Sequence, residues 1–328
     1  MLLSHPPGEA SAAVWIDLLA PTAEESAAVR QATGLRVPTE DQISEIESTS
    51  RLAFEGGAYY VSAPLVAKGA EGEHLLTPIG FVYSSRVLLT VRFGALPSID
   101  AAHEQARAQP PKNAEEALLR IFELVVDRAA DGLEHAGAEC DDLSRAAFRA
   151  GRPRVEVAAK AAAQGTAKTA AQGTAKAANR LAAALRRIGG VAERVSRIRD
   201  ELLGLGRIGA YIMESGLEGA PPVSATRLKA VRADVASLTD YEAHLSGKVQ
   251  FLLDATLGFI NIEQNEIVKT LTIASVVGIP PVLVAGIYGM NFRVMPELTW
   301  TFGYPFAVGL ILLSALVPLL WFKLRRWM

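Results

Sequence analysis

Residues 265–291 read Asn-Glu-Ile-Val-Lys-Thr-Leu-Thr-Ile-Ala-Ser-Val-Val-Gly-Ile-Pro-Pro-Val-Leu-Val-Ala-Gly-Ile-Tyr-Gly-Met-Asn. No charged side chain occurs from Thr270 to Phe292. A run of that length suffices for the roughly 30 Å hydrocarbon core of a bilayer, which needs about 20 apolar residues. It is not uniformly apolar. Asn265 precedes it, Asn291 closes it, and Thr272, Ser275 and Gly278 recur along it at helical spacing. That spacing gathers small and polar groups on one face of a helix. In lipid a polar face turns toward protein or water. One helix cannot enclose water, so several copies of the chain are expected to do so together.

Upstream, the same face continues through Asp254, Gly258, Asn261, Asn265, Val268, Thr272, Ser275, Ile279, Val282 and Gly286, with Leu271 beside Val268. Small, amide and apolar groups line it, with one carboxylate at its start. Such a surface hydrogen-bonds the water shell of an ion without stripping it, and Val268 and Leu271 would narrow a pore and gate it by dewetting. From residue 225 to about 290 no Gly-Pro cluster interrupts the pattern except Pro280-Pro281. Residues 225–290 are therefore read as one helix of roughly 100 Å at 1.5 Å per residue, a stalk entering the membrane. The two prolines would remove backbone bonds and kink it, which spans tolerate where neighbours or water satisfy the freed carbonyls.

Downstream, residues 291–301 form a short loop and residues 302–322 a second, almost featureless apolar span. Trp300, Tyr304, Trp321 and Trp327 mark its ends as interfacial anchors. Residues 323–328 carry Lys323, Arg325 and Arg326, a basic flank that places the C-terminus in the cytoplasm by the positive-inside rule. Two spans return the chain to its starting side, so the N-terminal part is cytoplasmic and the loop external.

Tyr288-Gly289-Met290-Asn291, then Phe292 and Met295-Pro296-Glu297-Leu298, resemble the signature of the CorA family of divalent-cation (magnesium) channels. Gly258-Phe259-Ile260-Asn261-Ile262-Glu263-Gln264-Asn265 and Lys269 resemble the family's pattern as well. The strong resemblance covers residues 254–328, and a weaker one covers the first hundred. It implies a homopentameric funnel in a bacterial-type plasma (inner) membrane, with the first span lining the pore. It also implies that Asn291 meets the hydrated cation at the external mouth beside Glu297 of the loop, that Asn265 forms a ring inside, and that Asp254 forms a ring at the cytoplasmic exit. These three are the residues expected to face the metal. Transport would be passive, and a divalent ion gains about 4.6 kcal/mol per 100 mV on entry. Magnesium dehydrates reluctantly and suits such a pore; cobalt and nickel are further cargoes to expect, and magnesium is also a candidate regulatory ion. The chain departs from the family at three places. Val282 stands where a pore threonine is common, Arg293 where an acidic residue is, and Ala230 where some members carry a regulatory aspartate, although Asp234 and Asp240 lie near. A zinc transporter of the same superfamily is the alternative cargo, and a cytoplasmic sensor domain on a two-span anchor the alternative class.

Between the stalk and the N-terminal part, residues 111–224 read as helical. Asn113 caps a helix with an apolar stripe at Leu118, Ile121, Phe122, Val125 and Val126. Residues 162–168 recur as 170–176, an Ala-rich duplication of period eight that keeps no steady helical face. Residues 1–110 mix helix and strand signals and predict an α+β domain. Strands are expected at 14–18, 58–65, 76–83 and 86–93, with a tight turn at Ser84-Ser85. Thr22 with Glu25 and Thr39 with Gln42 are capping boxes, and Ile43 and Ile46 face a core. Glu45-Ile46-Glu47 with Ser50-Arg51 reads as the solvated face of a short helix.

The five histidines, His5, His74, His103, His135 and His244, are scattered and read as exposed or capping residues, not as a metal site. No nucleophile, acid–base pair or cofactor loop argues for an enzyme, and no organic cofactor is expected. Net charge is −2 over 328 residues, which gives no basic surplus for nucleic acid. The single cysteine, Cys140, cannot form an intrachain disulfide, and residues 1–7 lack the pattern of a secretory signal.

Overall fold

The computed structural model describes residues 1–7, 12–45, 51–68, 74–150, 167–214, 219–221, 223–290 and 300–325. Contacts divide the chain into two compact units, Met1–Ala150 with Ala182–Asp254 and Gly151–Leu181 with Ala255–Met328.

The first unit is built on a six-stranded sheet. Its strands are β1 (Leu2–His5), β2 (Trp15–Leu19), β3 (Leu52–Glu55), β4 (Ala58–Lys68), β5 (His74–Ser84) and β6 (Leu88–Arg92), in the spatial order β1-β2-β6-β5-β4-β3. All neighbours are antiparallel except β2 and β6, which run parallel with Trp15 opposite Leu88. The Ser84 side chain closes the β5–β6 turn: its Oγ donates to Val87 O at 2.8 Å and accepts from Val87 N at 3.1 Å. Along β4, Tyr59, Val61, Ala63 and Leu65 point to the larger core and Ala58 to the smaller, the alternation of a sheet covered on both faces.

Helix α1 (Ala23–Thr33) joins the smaller core through Val29, and α2 (Glu40–Ser44) packs on β4 and β5. Thr22 Oγ1 accepts from Glu25 N at 3.1 Å and Thr22 N donates to Glu25 Oε2 at 3.0 Å, so the first expected capping box is present. Thr39 N donates to Gln42 Oε1 at 3.2 Å at the start of α2. Ile43 is buried there, close to Gly80; a Cβ on that glycine would stand 2.8 Å from Ile43 Cγ2. Residues 46–50, including the expected core residue Ile46 and most of the Glu45–Arg51 segment, lie outside the described residues.

The larger core receives α3 (Pro97–Ala108), α4 (Ala114–Ala150), α5 (Ala167–Glu214) and the first half of α6 (Ala225–Tyr288). The predicted stripe of α4 is inside it, with Leu118, Ile121, Phe122 and Val125 fully covered. Asn113 caps α4 by accepting from Glu116 N at 2.7 Å. Ion pairs tie the helices together outside the apolar seam. Glu139 of α4 binds Arg187 and Arg194 of α5, Glu123 binds Arg227 of α6 at 2.7 Å, and Asp141 binds Lys248 at 2.6 Å. The duplicated segment enters the described structure at Ala167, where α5 begins; residues 162–166 lie outside it.

One of the buried carboxyls comes from α5 and meets β4. Val66 lies beyond the stretch where β3 pairs with β4, and its N–H donates instead to Glu201 Oε1 of α5 at 3.1 Å. Burial pushes the Glu201 carboxyl up to about 7, against the lowering effects of the Val66 bond and Arg128. A carboxyl raised in the fold binds its proton more tightly there than in the open chain. Its stabilising effect is therefore full below the ordinary value of 4.5 and lost as pH rises to about 7. Glu201→Gln removes that slope: the variant is expected to exceed the parent in stability at pH 8 by an amount on the order of 3 kcal/mol and to converge with it near pH 4.5. Unfolding temperatures of the two proteins from pH 4.5 to pH 8 are the check.

The histidines depart from expectation. His135 and His244 are exposed, but His5 is 5% and His103 4% exposed. They belong to a polar network under the sheet centre. Asp17 of β2 accepts from Thr90 Oγ1 at 2.6 Å, from Arg92 Nε and Nη2 at 3.1 and 3.0 Å, and from His103 Nε2 at 2.9 Å. Trp15 Nε1 donates to Thr90 Oγ1 at 3.0 Å, and Arg92 also reaches Asp100 at 3.0 Å. Burial pushes the Asp17 carboxyl upward, but the His103 bond, the Arg92 charge and the Thr90 bond outweigh it and hold the carboxyl below its ordinary value. The reading of these two histidines as exposed fails because His5 of β1 and His103 of α3 both stack on Trp15 of β2, a packing that residue spacing does not encode.

Candidate functional site

Helix α6 is continuous from Ala225 to Tyr288 and includes Pro280 and Pro281. Its first half has a buried side, Leu228, Val231, Val235, Leu245, Val249 and Leu252, that joins the larger core. On its exposed sides stand Ala230, Asp234 and Asp240. Asp254 ends this half; its Oδ1 accepts from Gln250 Nε2 at 3.1 Å and it is exposed.

Beyond Asp254 the stripe residues Gly258, Asn261, Asn265, Val268, Leu271, Thr272, Ile279, Val282 and Gly286 are exposed, and Ser275 is half-buried. Leu271 is 66% and Val282 71% exposed. Exposure extends past the stripe to Ile262, Ile267, Leu283 and Ile287. A helix so apolar and so open on several sides needs cover that its own chain does not give it. A shallow hollow of about 350 Å³ lies along it, lined by Ala274, Gly278, Ile279, Val282 and Leu283. The hydroxyl of Thr272 donates to Val268 O at 2.8 Å, and that of Thr270 to Glu266 O at 2.9 Å. Each hydroxyl thus satisfies its own proton within the helix and leaves its oxygen as an acceptor.

The helix ends in a tightened turn. Gly289 N donates to Ala285 O at 2.9 Å and Met290 N to Ile287 O at 3.2 Å. A Cβ on Gly289 would approach Ala285 O to 3.2 Å, so a side chain there presses on the last turn. Tyr288 is half-buried, while Gly289 and Met290 are exposed. Asn291, Arg293 and Glu297 lie outside the described residues, as does Trp327. The second apolar helix, α7 (Gly303–Leu324), opens with the exposed aromatics Trp300, Phe302 and Tyr304 and closes with Trp321, over whose ring Arg325 sits at 5.7 Å. Among the described residues no group of three or more His, Cys, Asp or Glu side chains is arranged to hold a metal ion.

Both α6 and α7 are long and apolar enough to cross a bilayer. A two-span membrane protein with a mixed α/β unit ahead of its spans is the class that this fold defines. Residues 10–162 and 172–326 match the family of CorA-like Mg2+ transporter proteins. Over 318 residues the chain is 30% identical to the magnesium transport protein CorA of Escherichia coli K12, a match that covers 96% of this chain and 92% of that one. The chain belongs to the CorA-like Mg2+ transporter family. Its fold is similar to the complete CorA magnesium transporter of Methanocaldococcus jannaschii, with a TM-score of 0.67 and 18% identity over 96% of this chain and 91% of that one. It is likewise similar to the full-length CmaX protein, with a TM-score of 0.65 and 18% identity over 95% and 88% of the two chains.

Proposed function

We propose that the chain carries magnesium across the membrane passively, down the membrane potential, through a homopentamer whose first span lines the pore. The observation that carries this reading is the 30% identity to a magnesium transport protein along 96% of the chain, spans included. The open sides of α6 support it, because a channel assembled from several copies covers them and encloses water on the amide and hydroxyl stripe. In this reading Asp254 and Asn265 contact the hydrated ion toward the cytoplasm, Val268 and Leu271 form the narrowing, and Asn261, Thr272, Ser275, Ile279, Val282 and Gly286 line the rest. Tyr288, Gly289, Met290 and Asn291 form the external mouth, with Glu297 in the loop beside it. Both termini are cytoplasmic. Cobalt and nickel, similar in size to magnesium, are further cargoes.

Purified protein in liposomes, loaded with a magnesium-sensitive dye and polarised inside-negative, is expected to take up magnesium, and to take up far less when the potential is collapsed. Mass measurement of the detergent-solubilised protein is expected to give five chains. No uptake at any potential, or a monomeric mass, overturns the reading in favour of a sensor domain on a membrane anchor.

A further inference from the structure

The N-terminal strand is held by its ladder to β2, at its start by the Met1 ammonium on Leu19 O and Glu25, and at its far end by two histidines. Among the described residues β1 stands at the edge of the sheet and pairs with β2, and its last residue is His5. Val14 N donates to His5 O at 2.8 Å, which fixes the backbone of His5. Its ring lies on Trp15, centroid to centroid 5.0 Å, and His103 of α3 stacks on the same indole at 4.3 Å. The two imidazoles meet at His5 Nε2 and His103 Nδ1, 2.7 Å apart.

The proton positions along this chain of contacts follow from the acceptor at its end. Asp17 is held below its ordinary carboxyl value and accepts from four donors, so it is a carboxylate and can only accept. His103 Nε2, 2.9 Å from Asp17 Oδ2, therefore carries a hydrogen. In neutral His103 the lone pair is then on Nδ1, and His5 Nε2 must donate to it. One further proton can be held without breaking this bond, on His5 Nδ1 or, with His5 in its other tautomer as the acceptor, on His103 beside Asp17, but either way it charges a buried ring. A second proton puts hydrogens on both nitrogens at 2.7 Å, and the bond cannot exist.

The charged groups around the pair come from three elements. β2 contributes Asp17, which is already bound to Arg92 of β6; α3 contributes Asp100, paired with that same arginine, His103 itself, and Arg107. The anionic charge next to the pair is thus committed to Arg92, and Arg107 opposes a charge on His5.

We propose that the His5–His103 contact is a proton-operated latch: mild acid breaks it, frees β1 from β2 and α3, and bares the β2 edge of the sheet. Burial, His103 and Arg107 all lower the His5 value, so the closed latch resists protons that the released strand accepts near pH 6.5. Opening then grows as pH falls below that value. The latch lies wholly within the first unit and goes beyond the conduction reading: ion flux and latch opening are separate measurements, and either can fail alone.

The test is hydrogen–deuterium exchange on the full-length protein in detergent, corrected for intrinsic rates, comparing peptides over residues 1–19 with peptides over β4 and β5. Between pH 7.5 and pH 5, β1 and β2 amides are expected to lose protection roughly tenfold or more relative to β4 and β5. His5→Gln keeps a donor toward His103 Nδ1 but cannot titrate, and its excess loss is expected to shrink to about twofold or less. Arg107→Gln changes an exposed side chain and leaves the fold intact. Without its charge the closed His5 takes a proton more readily, so the acid-driven excess shrinks as well. Equal protection of β1 at both pH values, an unchanged pH dependence in both variants, or a parallel loss in β4 and β5 that marks unfolding of the whole domain would each overturn the proposal.

Discussion

Magnesium uptake into polarised liposomes is expected to fall about a hundredfold when Asn291 is replaced by Ala, with the oligomer intact. One side-chain hydrogen bond to the water shell of an ion contributes about 0.5–1.5 kcal/mol net. In the proposed pentamer, a ring of five such asparagines loses that contribution five times over. Even the lower figure gives about 2.5 kcal/mol, close to two decades in rate. The position adds to the effect. α6 ends at Tyr288 and tightens through the Ala285–Gly289 and Ile287–Met290 bonds, and Asn291 follows Tyr288 by three residues in the sequence. Gly289→Ala acts on the proposed mouth through the backbone, because its Cβ presses on the Ala285 carbonyl. Uptake is expected to suffer in that variant too. Undiminished flux in the Asn291 variant would remove the asparagine from the conduction path.

Asp17→Asn is expected to destabilise the first unit by about 3–5 kcal/mol, the usual result of breaking a buried ion pair by removing one partner. Asp17 is almost wholly buried and holds four donors; without its charge Arg92 is left with Asp100, whose side chain is 55% exposed. For a unit of this size the loss corresponds to a fall of roughly 10 °C in unfolding temperature. The amide also cannot accept as many bonds as a carboxylate, so Thr90, Arg92 and His103 compete for one oxygen. Thermal unfolding of the detergent-solubilised chain, followed by the near-ultraviolet signal of the Trp15 environment, measures it. A shift of only a degree or two would mean that the network is a consequence of the fold and not a support of it.

The membrane half was legible because lipid imposes a one-dimensional code. The uncharged run from Thr270 to Phe292, the aromatic ends of the second span and the basic tail are all local, and both spans appear as helices in those places. Capping was legible for the same reason: Thr22 with Glu25 and Asn113 with Glu116 are three residues apart and bond as their spacing requires. The stripe could be named from spacing, yet one chain leaves α6 open on more sides than the stripe, and in the proposed pentamer neighbouring copies would choose among them. The edge strands β1 and β3 were missed, since four residues are too few to display alternation. The Asp17 network was missed because its members, His5, Asp17, Thr90, Arg92 and His103, come from four separate segments. A clue was present. A carboxylate sits in the apolar run 14–18, and Thr90 and Arg92 stand two apart on one strand, which puts both on one face. A buried acid beside a buried base was the inference available from those two facts.

The parallel pairing of β2 with β6 sets an order on synthesis. β2 is made early, but its partner across Trp15–Leu88 leaves the ribosome only after the whole β3–β5 meander has been translated. At about 5–20 residues per second that interval is several seconds. Through it, β2 can hold β1 on one side while its other side has no strand to join. Asp17 waits as well, because Thr90 and Arg92 arrive with β6 itself. The sheet is therefore completed only with β6, and the network around its buried acid only when His103 of α3 follows. A nascent chain stopped before residue 88 carries a bare strand edge and an unpaired acid, the species that a chaperone at the tunnel exit would hold.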